Sequence, residues 1–262
     1  MKHAKIIDHI TTWLKDYALD NGLNGFVLGI SGGVDSALVS TLCAKTELPL
    51  LCLEMPIHQS AQEVTRASEH INQLKKQFSR VDNLEIDLTA TFDEMTKALP
   101  EAENKENLYL ALANTRARLR MTTLYYFAGL KGLIVAGTGN KIEDFGIGFY
   151  TKYGDGGVDI NPIADLTKTE VYELARFLKI SPAILEARPT DGLFGDERSD
   201  EDQIGATYPE LEWAMNQYEA GKIELDFQAR ELEVFKIYKH RHEVNQHKWK
   251  PIPVCKIPEE LL

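Results

Sequence analysis

Residues 26 to 30, FVLGI, are a short, mostly apolar run that stops at Ser31-Gly32-Gly33, after which apolar residues recur at 34, 37, 38, 39, 42 and 43. The first run reads as a buried strand and the second as one face of a helix. Strand, glycine turn and helix in succession make an anion site. Gly32 and Gly33 let the backbone turn tightly and present its amides, and the following helix aims its unpaired N–H groups and positive dipole end at the turn. Ser31 and Ser36 add hydroxyls. Asp35 repels phosphate unless it caps the helix or holds a divalent cation that bridges the two. The stretch is not a GxxxxGK[ST] loop, because the spacing fails and the lysine that would reach the terminal phosphates is missing. A glycine turn needed for geometry alone is the plainer alternative.

The chain of 262 residues, 44% hydrophobic, is long enough for one large α/β domain or two small ones, and no second composition regime appears. A formal charge of −11 disfavours a nucleic-acid surface, which needs clustered Lys and Arg. An acidic protein that binds a nucleotide must gather its cations locally or recruit Mg²⁺. Cys43, Cys52 and Cys255 are odd in number and widely spaced, which fits buried thiols in a reducing, cytoplasmic setting. The N-terminus MKHAKIIDHI has no apolar signal core, and no window approaches 18 apolar residues, so neither secretion nor membrane insertion is expected.

Apolar residues from Ile6 to Tyr17 fall at helical spacing over 3–20 and end at Asn21-Gly22. Leu50 to Met55 reads as a strand buried on both faces, and Ser60 with Glu63 forms a capping box for a helix to about Phe78. Alternation over 84–88 predicts a third strand, and a helix follows over roughly 90–98. The order αβαβαβα predicts a doubly wound, mainly parallel sheet with helices on both faces, with ligands at the carboxyl ends of the strands. A long helix over 104–130 carries Arg116, Arg118 and Arg120, whose spacing lets one or two of them face any single site, and surface ion pairing is the alternative. The strand 132–136 then ends in Gly137-Thr138-Gly139-Asn140, a second glycine-rich end placed to share a pocket with the first.

The segment 149–170 is polar and glycine-rich around Asp155, which suits binding, although Gly-Asp-Gly-Gly also suits a tight hairpin. Thr167 and Glu170 form a second capping box for a helix through Leu178. The acidic stretch 188–208 reads as a solvated flap, open to ordering over ligand. Helices are expected over about 209–220 and 223–241. His240, His242 and His247 lack a Cys or carboxylate at ligand spacing, so a cationic tip that meets phosphate fits better than a metal site.

SGGVDS at 31–36 resembles the loop of the ATP pyrophosphatase group, whose enzymes split ATP into AMP and pyrophosphate. Together with ARLR at 117–120, GTGNKIED at 137–144, the segment 149–175, RPTDGL at 188–193 and the tail HKWKPIPV, it resembles NAD⁺ synthetase across nearly the whole chain. That resemblance implies a Rossmann-like single domain over 1–262 and adenylation of the carboxylate of deamido-NAD⁺. Pyrophosphate leaves, and ammonia displaces AMP to give NAD⁺. Carried over by motif, Gly29, Ile30, Ser31, Gly32, Gly33, Val34, Asp35 and Ser36 hold ATP, with Thr138, Lys168 and Thr190 as further ATP contacts. Asp35 and Glu143 are the Mg²⁺ carboxylates, and with Lys168 they form the catalytic set. Arg118, Lys152, Asp159, His247 and Lys248 match contacts to deamido-NAD⁺. A homodimer with the dinucleotide near its interface is also implied, and the apolar, arginine-bearing helix 104–130 is the candidate for that contact.

From Glu143 to Lys152 the chain is one residue longer than the family's commoner spacing, so Lys152 rests on motif match. An amidase domain with a catalytic Cys is not expected, which leaves free ammonia as nitrogen donor. The competing expectations are another ATP pyrophosphatase that amidates or thiolates, and a non-catalytic nucleotide-binding subunit. Thiolation is disfavoured by the acidic balance and the lack of a paired Cys site. Two Mg²⁺ carboxylates exceed what simple binding needs.

Overall fold

The computed structural model describes residues 1–101, 103–188 and 199–262, without the side chains of Ala61 and Gln62. Its elements begin with α1 (His3–Asp20), β1 (Gly25–Gly29), α2 (Val34–Lys45), β2 (Leu50–Glu54), α3 (Ala61–Gln77), β3 (Val81–Glu85), α4 (Thr89–Ala98), α5 (Lys105–Lys131) and β4 (Leu133–Val135). A π-helix over Ile142–Ile147 follows, then α6 (Lys168–Phe177), α7 (Pro182–Leu185), α8 (Asp200–Ile204), α9 (Tyr208–Glu219) and α10 (Ala229–Asn245). Both expected capping boxes form, Ser60 with Glu63 at α3 and Thr167 with Glu170 at α6. No described helix is long and apolar enough to cross a membrane.

The four strands are parallel in the order β3-β2-β1-β4, with Phe26 beside Leu50 on one side and Ile134 on the other. Because successive strand side chains point to opposite faces, the apolar strands feed two cores. Phe26, Leu28, Leu50, Cys52 and Ile134 pack with residues of α1, α2, α3 and α6. Val27, Leu51, Leu53, Leu133 and Val135 pack with Phe92 of α4 and Ala128 of α5. The fold is the doubly wound α/β arrangement that the alternation of elements predicts. A third apolar cluster joins Ile142 and Ile147 of the π-helix to Leu211 and Met215 of α9 and Val234 and Tyr238 of α10.

Topology decides where a ligand can sit. The chain moves from β1 to β2 to β3 through α2 and α3 in one layer, then returns through α4 and α5 in the other and lays β4 on the far side of β1. The strand order therefore reverses between β1 and β4, and the carboxyl ends of those two strands splay around a crevice. Both glycine-rich strand ends lie there.

Several expectations need correction. The third strand is Val81–Glu85, three residues before the predicted 84–88, because pairing of Leu50 with Val81 and Leu53 with Leu84 sets its register at the sheet edge. Leu84 is left 39% exposed, while Leu88 packs under the sheet beyond the strand's end. Helix α2 is buried on nearly all sides, from Val34 through Ala44 with Asp35 as the exception, where one apolar face was expected. It lies between the sheet and α1, α3 and α6, so truncating Leu38, which has no exposed surface, costs about 2–5 kcal/mol. Gly132 ends α5 in the left-handed conformation (φ 63°) instead of opening β4. Helix α10 starts six residues later than expected and runs four residues further.

Candidate active site

The turn after β1 is built by its own side chains. The Ser31 amide donates to Ser36 Oγ at 3.3 Å, the Gly33 amide to Ser31 Oγ at 3.2 Å, and Ser36 Oγ donates to the Gly33 carbonyl at 3.0 Å. Gly32 sits at φ 84°, and a Cβ there would lie 2.8 Å from the Glu63 carbonyl of α3. Glycine is required at that position both for its dihedral and for the close approach of α3. Gly33 then caps α2, whose first-turn amides have no partner within the helix and face the crevice.

Across the crevice, Lys168 from the first turn of α6 is only 3% exposed. Its Nζ donates to Asp35 Oδ2 at 2.6 Å and to Glu143 Oε1 at 2.9 Å. Burial works against the ammonium, but the two carboxylates outweigh it and hold Lys168 above the ordinary lysine range. Burial pushes the Asp35 carboxyl up, against the pull of Lys168. Asn140, fully buried, donates to Asp35 Oδ1 at 3.2 Å and accepts the amides of Ile142 and Glu143, so one side chain ties the second glycine strand end to the first. Tyr208, at the start of α9, donates its hydroxyl to Glu143 Oε1 at 2.5 Å and carries the Lys168 ammonium 4.9 Å above its ring.

Asp35 and Glu143 thus converge on a single cation, the Lys168 ammonium. Two hard oxygen donors placed this way fit Mg²⁺, which takes one or two protein carboxylates and fills its other positions with phosphate oxygens and water. Among the described residues no group of three or more His, Cys, Asp or Glu forms a metal cage.

The residue after Glu143 is a second buried acid. Asp144 accepts from Asn161 Nδ2 at 2.6 Å, and burial, reinforced by the Glu143 charge, pushes it up to about 7. Its carboxylate fills the space where a Cβ on Gly139 would stand, 2.0 Å from Oδ2. The backbone here is the π-helix, and its wider turn takes up one more residue than an α-turn. Beyond it the TKYGDGG stretch is a compact coil against α5 and not a hairpin. Thr151 Oγ1 donates to Asn114 Oδ1 at 2.6 Å, its amide donates to Asp155 Oδ1 at 3.0 Å, and its carbonyl accepts from the amides of Gly154 and Gly156.

The resulting cleft has a volume of about 290 Å³ and is lined by residues 29–36, Thr138, Gly139, Glu143, Asp155 and Lys168, with Arg66 and Arg120. The model of the NAD synthase family matches residues 6–252. The chain belongs to the NAD synthase family. It is 37% identical to the NH(3)-dependent NAD(+) synthetase of Carboxydothermus hydrogenoformans over 85% of this chain and 89% of that one. Among solved structures, the NMN synthetase of Francisella tularensis superposes with a TM-score of 0.83 at 30% identity, covering 98% of this chain and 100% of the other. The NH3-dependent NAD synthetase of Campylobacter jejuni, in complex with the nitrate ion, gives 0.78 at 26% identity over 98% and 100%.

Of the residues singled out by the family motifs, Gly29 to Ser36, Thr138, Glu143 and Lys168 come together in this cleft. Thr190 lies outside the described residues. The five residues matched to the dinucleotide do not line the cleft. Arg118 donates to the Lys152 carbonyl at 3.3 Å, and Lys152 Nζ donates to the carbonyl of His247, whose ring Nδ1 lies 3.1 Å from the Val244 carbonyl. Lys248 Nζ donates to the carbonyls of Gly148 and Tyr150, at 2.5 and 2.7 Å. Asp159 accepts Tyr125 Oη–H at 2.8 Å and the Val135 amide at 2.9 Å, which fastens it to the end of β4. These five knit the 148–159 coil to the C-terminal segment and α5.

The three arginines of α5 diverge as their spacing requires. Arg116 stacks over Phe92, Arg118 faces the 148–159 coil, and only Arg120 lines the cleft, donating to the Met55 carbonyl at 3.0 Å and to Gln59 at 2.7 Å. The acidic stretch is only partly solvated at its described end, where Asp202 is exposed. Ser199 and Asp200 are buried, Ile204, Ala206 and Tyr208 enter the third core, and residues 189–198 of the expected flap lie outside the described residues. Asn140 and Asp144 lie inside the GTGNKIED motif without a role of their own in the sequence reading, and Arg66 and Tyr208 are not singled out there at all. For Tyr208 the available signal was the Thr207–Glu210 capping box, which marks a helix start but not what that start touches.

Proposed function

We propose that this member of the NAD synthase family is an ammonia-dependent ligase that amidates deamido-NAD⁺ to NAD⁺, with ATP as co-substrate. The observation that carries this reading is the convergence of the β1 glycine turn with Asp35, Glu143 and Lys168 across the switch point. A carboxylate resists ammonia, and its conversion to an acyl adenylate supplies a leaving group. The nicotinate oxygen attacks the α-phosphorus, the bond to the bridging oxygen breaks, and its electron pair departs with pyrophosphate. The turn amides and the α2 N-terminus face the charge that builds on that leaving group. Lys168 holds Asp35 and Glu143 in place until phosphate arrives. Mg²⁺ held by these two carboxylates would neutralise phosphate charge when bound. Ammonia then attacks the activated carbonyl, loses a proton and expels AMP.

Thr138 and Thr190 serve as ATP contacts, and Arg118, Lys152, Asp159, His247 and Lys248 serve the nicotinate dinucleotide beyond the cleft. The protein works as a homodimer in the cytoplasm, with 1–262 as one domain. Tyr109, Leu110, Tyr126 and Leu130 of α5, each more than half exposed, support a contact on that helix. Sedimentation should give twice the chain mass, and a monomer at micromolar concentration counts against the dimer.

One observation favours a second substrate. The F. tularensis protein, with a TM-score of 0.83, is named for NMN, and no residue matched to the dinucleotide lines the cleft itself. Purified protein supplied with ATP, Mg²⁺ and ammonium should form NAD⁺ and AMP from deamido-NAD⁺ faster than NMN and AMP from nicotinate mononucleotide. The opposite preference replaces the dinucleotide assignment, and AMP from neither substrate removes the amidation reading.

A further inference from the structure

Among the cations that line the cleft, most are already committed. Lys168 is neutralised by two carboxylates, Arg120 is bonded to Met55 and Gln59, and Arg188 donates to Ser199 and Asp202. Arg66 differs. It projects from α3 over the glycine turn and donates Nε–H to the Gly32 carbonyl at 3.3 Å. It makes no other hydrogen bond or ion pair among the described residues, so the four N–H groups at its end are unengaged while the side chain is half-buried in the cleft. The bond from Nε leaves the outer edge of the guanidinium, the edge that binds phosphate in a fork, turned away from the carbonyl.

The surroundings favour a cation at that place. The cleft is lined by Glu54, Glu63, Glu143, Asp144 and Asp155 beside Asp35, in a chain of net charge −11. A polyphosphate entering such a site needs positive charge next to the turn amides. Only neutral amide dipoles come from the turn itself, and the helix α3 that supplies Arg66 is held against Gly32 by the close approach of Glu63.

We infer that Arg66 is a catalytic residue that binds the β- and γ-phosphates of ATP over the glycine turn and takes up the charge that develops on departing pyrophosphate. This rests on the nucleotide reading of the cleft. In the step concerned, the bond from the α-phosphorus to the bridging oxygen breaks and both electrons leave on pyrophosphate. Arg66 changes neither its protonation nor its bonding. Its contribution is greater in the transition state than in bound ATP, because the bridging oxygen gains charge as the bond opens.

The test is calorimetric titration of the ligand-free protein with inorganic pyrophosphate and, separately, with AMP, for wild type, R66Q and R66K. R66Q should bind pyrophosphate at least ~10-fold more weakly, on the scale of a lost charge-assisted hydrogen bond, with AMP affinity unchanged. R66K keeps the charge without the planar fork and should fall between R66Q and wild type, which also covers the case of a poorly folded R66Q. In turnover, kcat should fall more than KM for ATP rises. Pyrophosphate affinity within twofold of wild type in both variants, or an equal loss for AMP, overturns the inference. If wild type binds neither AMP nor pyrophosphate, the nucleotide reading falls and takes this inference with it; if wild type binds both and the variants match it, only the role of Arg66 falls.

Discussion

Replacing Lys168 with methionine isolates the electrostatics at the centre of the site. Methionine keeps an unbranched stem of similar length, so little volume is lost. What disappears is the ammonium 2.6 Å from Asp35 and 2.9 Å from Glu143, in a position only 3% exposed. Breaking a buried ion pair by removing one partner costs about 3–5 kcal/mol, because charge is left buried and uncompensated. In a chain of this size each kcal/mol lowers Tm by roughly 2 °C, so Lys168→Met should melt about 6–10 °C below wild type in calorimetry at pH 7.5. Two further readings separate this cause from loose packing. Millimolar MgCl₂ should recover much of the deficit in the variant and do less in wild type, where the ammonium competes for the same two carboxylates. Lowering the pH should also shrink the deficit. Burial already pushes Asp35 above the ordinary 3.8, and without Lys168 only the hydrogen bond from Asn140 opposes it. A carboxyl with a raised native pKa contributes stability below the unfolded value and loses it as pH rises through the native one, so the variant should suffer most at pH 7–8. A variant within 2 °C of wild type, or an equal gain from MgCl₂ in both proteins, would refute the reasoning.

Three other perturbations follow from the same geometry. Asp35→Asn should lower turnover by at least ~100-fold with an unchanged circular dichroism spectrum, and near-normal kcat at saturating Mg²⁺ would contradict the metal role. Gly139→Ala should destabilise by about 1–3 kcal/mol, because its Cβ would lie 2.0 Å from Asp144 Oδ2; in an Asp144→Ala background most of that loss should vanish in urea unfolding, and an undiminished loss would exclude the clash. His70 is 3% exposed, lies 2.8 Å from Ser40 Oγ, and is pushed by burial down to about 4 from 6.5. The native state refuses a proton that the unfolded chain accepts, so this contribution is complete above pH 6.5 and falls by up to about 3 kcal/mol as pH drops toward 4. His70→Gln should flatten that slope in unfolding curves between pH 7 and 4.5, and parallel slopes for the two proteins would rule it out.

By itself the sequence settled whatever depends on local chemistry. Apolar runs marked β1, β2 and β4 as strands, with β2 buried on both faces, capping boxes placed the starts of α3 and α6, and the SGG residues marked the turn between strand and helix. The alternation of elements was enough for the doubly wound class. The tertiary structure decided whatever depends on which distant residues meet. Register, set by pairing of Leu50 with Val81, moved β3 to an earlier segment than its alternation suggested. The acidic stretch 188–208 read as solvated, whereas packing leaves Asp202 exposed but buries Ser199 and Asp200 and carries Tyr208 onto Glu143. Arg116, Arg118 and Arg120 were indistinguishable as a motif, and the helix's rotation alone chose Arg120 for the cleft. The SGGVDS stretch was legible as a tight glycine turn between strand and helix from residue types alone. That its Asp35 lies against a lysine 133 positions away, and that Arg66 hangs over its second residue, are facts of chain topology, which brings β1 and β4 side by side and presses α3 onto Gly32.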